Sequence, residues 1–207
     1  AWMASTRFMP EELGRSFPPL PAGAFRIVIA GDGAAGGGMA QGQPLQVYAD
    51  HLAADLPAAG IAATVLNRGS AGVTTDAALQ SFQQEVLDEK PDLVILHFGS
   101  EDAAVQVGAA PASLTSRVPL DRFTANLTAM VQQLKAKGIR PLLMTSHPLC
   151  WGDSSLARFG QPVAGSPYLR DDPFGLNTVL SRYTAAVREI AIREGVQLVD
   201  IYGRFIS

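Results

Sequence analysis

The sequence predicts an α/β fold, a three-layer α/β/α sandwich around a five-stranded parallel sheet. Three observations predict it. Five short, nearly all-apolar runs recur along the 207 residues. Segments with apolar residues on one helical face separate those runs. Glycine, asparagine, aspartate or serine follows most of the runs, as turn residues follow a strand. Apolar strands alternating with amphipathic helices mean a parallel sheet covered on both faces.

The first element is an irregular arm over residues 1–24. Pro10, Pro18, Pro19 and Pro21 fall too often for a helix. Residues 25–207 form the domain. Phe25 to Ala30 is short, rich in branched residues and closed by Gly31-Asp32-Gly33, so it predicts a buried strand. Tyr48, Leu52 and Leu56 share a helical face, with Gly60 as the stop. The second strand runs from Ala62 to Leu66 and ends at Asn67. Leu79, Phe82 and Val86 then share a face, and Pro91 closes that helix. The third strand is Asp92 to Phe98, ending at Gly99. Asp121 can cap a helix carrying Phe123, Leu127, Met130, Val131 and Leu134, stopped by Gly138. Pro141 to Thr145 is the fourth strand. Leu176, Leu180, Tyr183, Val187 and Ile190 mark the longest helix, ended by Gly195. Val196 to Ile201 is the fifth strand.

Composition limits the function classes. Hydrophobic residues make up 47% and charged residues 17%, which fits a chain with a sizeable core and argues against disorder. Net charge is −3, with a pI near 5.6 and no basic patch. Nucleic acid and anionic lipid are therefore not expected partners. No apolar run approaches the roughly 18–20 residues of a membrane span. No signal peptide is visible after Ala1, and localisation is left open. Cys150 is the single cysteine, so neither an internal disulfide nor a cysteine metal site is expected. The reading calls for no cofactor and no metal.

In parallel sheets the site lies at the carboxyl ends of the strands. Those ends are Gly31-Asp32-Gly33, Asn67 to Gly72, Gly99 to Asp102, and Ser146-His147. Two long loops, about 103–120 and 148–175, flank them and either line the site or are surface insertions.

Three of these strand ends resemble the blocks of the SGNH (GDSL-type) ester hydrolases. Ile27-Val28-Ile29-Ala30-Gly31-Asp32-Gly33 is similar to the strand running into Gly-Asp-Ser, except at its last residue. Asn67-Arg68-Gly69-Ser70-Ala71-Gly72-Val73-Thr74 resembles the second block, Asn-x-x-x-x-Gly-x-Thr. Pro91-Asp92 and the strand into Gly99-Ser100-Glu101-Asp102 resemble the third, with Glu101 in place of asparagine. The resemblance implies a flavodoxin-like sheet and the hydrolysis of carboxylic esters. It places the nucleophile at Gly33, an oxyanion-binding backbone N–H at Gly72 and a second oxyanion donor at Glu101. Asp32, Asn67, Gly99, Asp102 and His147 are supporting residues.

The departures change the expected chemistry. Ester hydrolysis by this route needs a hydroxyl, a base and donors for the oxyanion. Gly33 supplies no hydroxyl. An ionised Glu101 accepts hydrogen bonds and would repel an oxyanion. The Asp-x-x-His block does not appear before Ser207. The chain as it stands is thus expected to be inactive. Two explanations stay open. One is a naturally degenerate member, toward which Glu101 tilts the reading. The other is a trimmed or altered chain. A missing final helix would bare apolar sheet surface, which self-association or a further C-terminal segment would cover.

Other readings compete. One is a non-catalytic binding or assembly module using the cleft, with a small ester or acyl-sugar ligand. A second is nucleotide binding, since Gly31 to Gly36 matches G-x-G-x-x-G after a strand. A third gathers Asp32, Glu101 and His147 as a repurposed metal or acid–base site. His51 is expected to be solvated on its helix. His97 is expected to be a core histidine with a partner. Asp200 ends the fifth strand and is not read as a triad acid. Ser70, Ser100 and Ser146 sit in no nucleophile motif.

Overall fold

The computed structural model describes residues 25–37, 39–40, 43–44, 46–105, 115–149 and 175–206. The predicted arm, Cys150, half of the first long loop and most of the second lie outside them.

Five parallel strands form one sheet: β1 (Phe25–Gly31), β4 (Ala63–Asn67), β5 (Leu93–His97), β6 (Arg140–Met144) and β7 (Gln197–Val199). Their order is β4-β1-β5-β6-β7. The chain winds outward from β1 in both directions, so the loops after β1, β4 and β5 meet at a topological switch point. Register aligns the strand ends. Ile29 pairs with Asn67, Gly31 with His97, and His97 with Met144. A separate two-stranded ribbon, β2 (Met39–Ala40) and β3 (Gln43–Pro44), follows β1.

The central strands β1 and β5 are almost wholly buried because both their faces are covered, while the edge strands β4 and β7 stay partly exposed. On one face, α3 (Thr75–Glu85), α5 (Leu120–Ala136) and α6 (Leu176–Glu194) enclose Val28, Leu96, Phe82, Phe123, Leu134 and Ile190. The other face packs Ile27, Ile29, Ile95 and Met144 against α2 (Tyr48–Ala58). There α2 is the one long helix among the described residues, and Leu142, Val199 and Ile201 stay partly buried. No helix among the described residues is long and apolar enough to cross a membrane.

Two local expectations need correction. Asp121 does not cap α5. Pro119 holds the cap position and Asp121 lies in the first turn, where it complements the helix dipole. The fifth strand stops at Val199, because Asp200 turns the chain into a short helix, α7 (Ile201–Ile206). The Asp200 carboxylate accepts from Gly203 N at 3.1 Å and from Thr145 Oγ1 at 3.1 Å. It also pairs with both nitrogens offered by Arg188, at 2.9 and 3.0 Å. Asp200 is therefore a structural anchor. Two one-turn helices at strand ends were not foreseen: α1 (Gly33–Gly36) and α4 (Ser100–Ala103).

Candidate functional site

The site is assembled by three loops at the carboxyl ends of β1, β4 and β5. Asp32 organises it. Its side chain is fully buried. Oδ1 accepts from Ala34 N at 3.0 Å and so caps α1. Oδ2 accepts from Gly99 N at 3.1 Å, Ser100 N at 2.9 Å and Glu101 N at 3.2 Å. One carboxylate thus satisfies four orphan donors and ties the β1 loop to the β5 loop. Asn67 ties the β4 loop in the same way. Its Nδ2 donates to Ala35 O at 3.0 Å and its Oδ1 accepts from Gly69 N at 2.9 Å.

Asp102 holds the far side of the β5 loop. It is buried, and Oδ1 accepts from Thr75 N at 2.9 Å and Thr75 Oγ1 at 2.6 Å. Its Oδ2 has no partner. Burial pushes its carboxyl up to about 6, against the opposing effect of the Thr75 hydrogen bonds.

The glycines of the first loop divide into two kinds. A Cβ on Gly31 would stand 2.5 Å from Ala35 Cβ and from His97 O. A Cβ on Gly36 would stand 2.6 Å from Gly69 C and O, and one on Gly69 would stand 2.7 Å from Gly36 N. These three are required by backbone packing, which accounts for the first and last glycines of the G-x-G-x-x-G match but not for the middle one. Gly33 is different. Its φ is not positive. A Cβ there would meet Ala71 Cα at 3.5 Å and Glu101 Oε1 at 3.6 Å, which is ordinary contact. The fold accepts a side chain at 33, and the sequence provides none.

Gly72 has φ +81° and no neighbour within 4 Å of a built Cβ. Its N–H points into the site and is already engaged, donating to Glu101 Oε1 at 3.1 Å. Glu101 Oε2 pairs with Arg117 Nη1, and Arg117 Nη2 donates to Gly72 O at 2.9 Å. Arg117 was not foreseen. It sits at the end of a long loop, where a single arginine carries no pattern. The one available signal was the acidic Glu101 itself, which needs a cation nearby.

Asp32, Glu101 and His147 do not form a common cluster. Both Asp32 oxygens are spent on backbone N–H groups. His147 faces Pro148 O through Nδ1 at 3.0 Å and stacks obliquely near Phe205 at 6.3 Å. Among the described residues, no group of three histidine, cysteine or acidic side chains could hold a metal.

His97 departs from expectation. It is buried, and neither ring nitrogen has a partner. The ring stands 5.7 Å from Tyr48, whose buried hydroxyl is also unpartnered. Burial lowers the His97 pKa to about 4, so the ring is neutral at pH 7; Asp32 opposes that shift and His147 adds to it. His51 is exposed, as expected. Ser146 is buried with its hydroxyl unpartnered, while Ser70 is exposed.

Beside the site, a cavity of about 260 Å³ lies between the end of β1, the 68–73 turn and α3. Ala30, Phe82, Val86 and Phe98 form its apolar wall, and Arg68 and Glu85 stand at its rim.

Comparison with known proteins agrees with this geometry. The model of the GDSL-like lipase/acylhydrolase family matches residues 29–207. The lipoprotein YqeF of Bacillus subtilis is 33% identical over 147 residues, covering 69% of this chain and 56% of the relative. The human isoamyl acetate-hydrolyzing esterase 1 homolog is 28% identical, covering 67% of this chain and 54% of the relative. The chain thus spans a little over half the length of these curated relatives. Among solved structures, a lipase/acylhydrolase from Enterococcus faecalis shares 24% identity at a TM-score of 0.64, covering 88% of this chain and 78% of its own. An acetylxylan esterase from Geobacillus stearothermophilus shares 21% identity at a TM-score of 0.65, covering 87% and 78%. Solved variants of that esterase described as catalytic mutants replace a serine, an aspartate and a histidine by alanine. A family match over most of the chain, on a sheet whose strand ends meet as its blocks require, shows that this chain belongs to the GDSL-like lipase/acylhydrolase family.

Proposed function

We propose that this chain is a non-hydrolytic member of its family, a binding module that keeps the ester-hydrolase cleft. The observation that carries this is Gly33. It stands in the turn after β1, at the position the resemblance gives to the nucleophile, with room for a side chain and none present. Attack on an ester carbonyl needs an oxygen or sulfur nucleophile held there. Ser70 is exposed on the second loop, Ser100 opens α4 with its N–H on Asp32, and the buried Ser146 hydroxyl has no partner. None of the three stands in the turn after β1.

The loops around the vacancy are intact. Asp32, Asn67 and Asp102 make the hydrogen bonds that fix the cleft. The ligand class we assign is a small ester or acyl sugar. Relatives named for isoamyl acetate and acetylxylan support it, as does the apolar cavity beside Gly31 and Val73.

The test is hydrolysis of p-nitrophenyl acetate, paired with a serine-directed phosphonate. The expected result is turnover no faster than buffer and no covalent labelling. Phosphonate-sensitive turnover would overturn the reading. Binding is checked separately, by a thermal shift with isoamyl acetate and with an acetylated xylo-oligosaccharide.

A further inference from the structure

The donors around Glu101 form an anion site that is already filled. The Gly72 N–H points at Oε1 from 3.1 Å. The Arg117 guanidinium pairs with Oε2 and reaches past it to Gly72 O at 2.9 Å. Guanidinium plus backbone N–H is a fitting donor set for a carboxylate, and charge-assisted bonds of this kind are the strong ones. Gly72 has the left-handed backbone that turns its N–H toward the site. Arg117 is fixed in turn by its own N–H, which donates to Ala104 O at 3.0 Å. Glu101 is placed by Asp32, which holds its backbone N–H. Every component is therefore positioned by a different loop, and the carboxylate is where the three converge.

We infer that Glu101 is the resident ligand of a small-carboxylate site built from the Gly72 N–H and Arg117, and that it shuts this site to external carboxylates. The inference rests on the non-hydrolytic reading, because an anion fixed on Gly72 leaves no place for a developing oxyanion. The vacancy at Gly33 contributes too. With no side chain at 33, Glu101 Oε1 faces open space instead of a hydroxyl. An untethered carboxylate must order itself to bind, whereas Glu101 is already held in place. Arg117 acts as a positioning residue: it pairs with Glu101 Oε2 and clamps the 72 turn onto it.

Removing Glu101 should open the site. Acetate is titrated against the wild-type chain, Glu101→Ala, and Glu101→Ala/Arg117→Met, with chloride at matched ionic strength as the control. Glu101→Ala is expected to show a saturable rise in Tm of about 2–5 °C with acetate. Its Gly72 amide NMR resonance is expected to move in step. The wild-type chain and the double variant are expected to show neither. No acetate response in Glu101→Ala beyond that to chloride, or an equal response in the wild type, would overturn the inference. If Glu101→Ala does not fold, Glu101→Ser takes its place in the acetate titration, with the Gly72 amide as the readout. A Gly72 amide in Glu101→Ser that acetate moves no more than chloride does would also overturn it. None of these measurements reads ester turnover, so failure here is distinct from failure of the non-hydrolytic reading.

Discussion

Asp32 and Glu101 are carboxylates in two adjoining loops, and they do different work. Asp32 is fully buried and accepts four backbone hydrogen bonds. Glu101 is about a quarter exposed, accepts one backbone N–H and leans on Arg117. The first is a structural tie between two loops. The second stands where the family resemblance puts an oxyanion donor. The contrast supports the proposed reading, in which the ties that shape the cleft are kept and the groups that would act within it are replaced.

The largest test of that contrast is stability. Asp32→Ala strands four donors in the interior and is expected to cost about 3 kcal/mol or more, seen as a lower denaturation midpoint. Glu101→Ala breaks a half-exposed pair and is expected to cost less than about 1 kcal/mol. Equal losses would erase the distinction.

The glycines give the next contrast. Gly36→Ala and Gly69→Ala each force a Cβ within 2.7 Å of backbone atoms of the facing loop, and each is expected to cost about 1–3 kcal/mol. The Cβ of Gly33→Ser meets nothing closer than 3.5 Å, and the change is expected to shift stability by no more than about 0.5 kcal/mol. Thermal unfolding of the three variants checks this ordering.

A smaller effect separates two buried titratable groups, His97 and Asp102. His97 has its folded pKa depressed to about 4 from 6.5, so the unfolded chain binds more protons between those values. Its contribution is present above pH 6.5 and lost as pH falls toward 4. Asp102 has its folded pKa raised to about 6 from 3.8, so its contribution is full below 3.8 and lost as pH rises through 6. The two slopes oppose each other over about pH 4–6. His97→Leu is expected to make stability fall with pH across that window, and Asp102→Asn to make it rise more steeply, each by on the order of 1 kcal/mol per pH unit at most. Urea midpoints at three pH values read the sign.

Much of this was legible in the sequence. Apolar runs ending in turn residues located all five strands, because a parallel sheet buried on both faces leaves strands no polar side. The block spacing placed Asp32, Asn67, Gly72, Glu101 and Asp102 on converging loops. Other features left no trace. Arg117 reaches the site across a fold-level distance, and no local pattern marks a single arginine in a loop. The end of β7 was misjudged because Asp200-Ile201-Tyr202 reads as a strand locally. Asp200 there accepts from Gly203 and pairs with Arg188, and those contacts turn the chain into α7. His97 was expected to have a partner, since a buried imidazole ordinarily has one. Its isolation among apolar strands and Tyr48 is a tertiary fact.

The central claim is that the cleft is kept while hydrolysis is lost, and covalent labelling by a serine-directed phosphonate tests it most directly. The purified chain is expected to remain unlabelled, with p-nitrophenyl acetate turnover equal to buffer. Stoichiometric labelling of any residue, accompanied by loss of a measurable turnover, would contradict it.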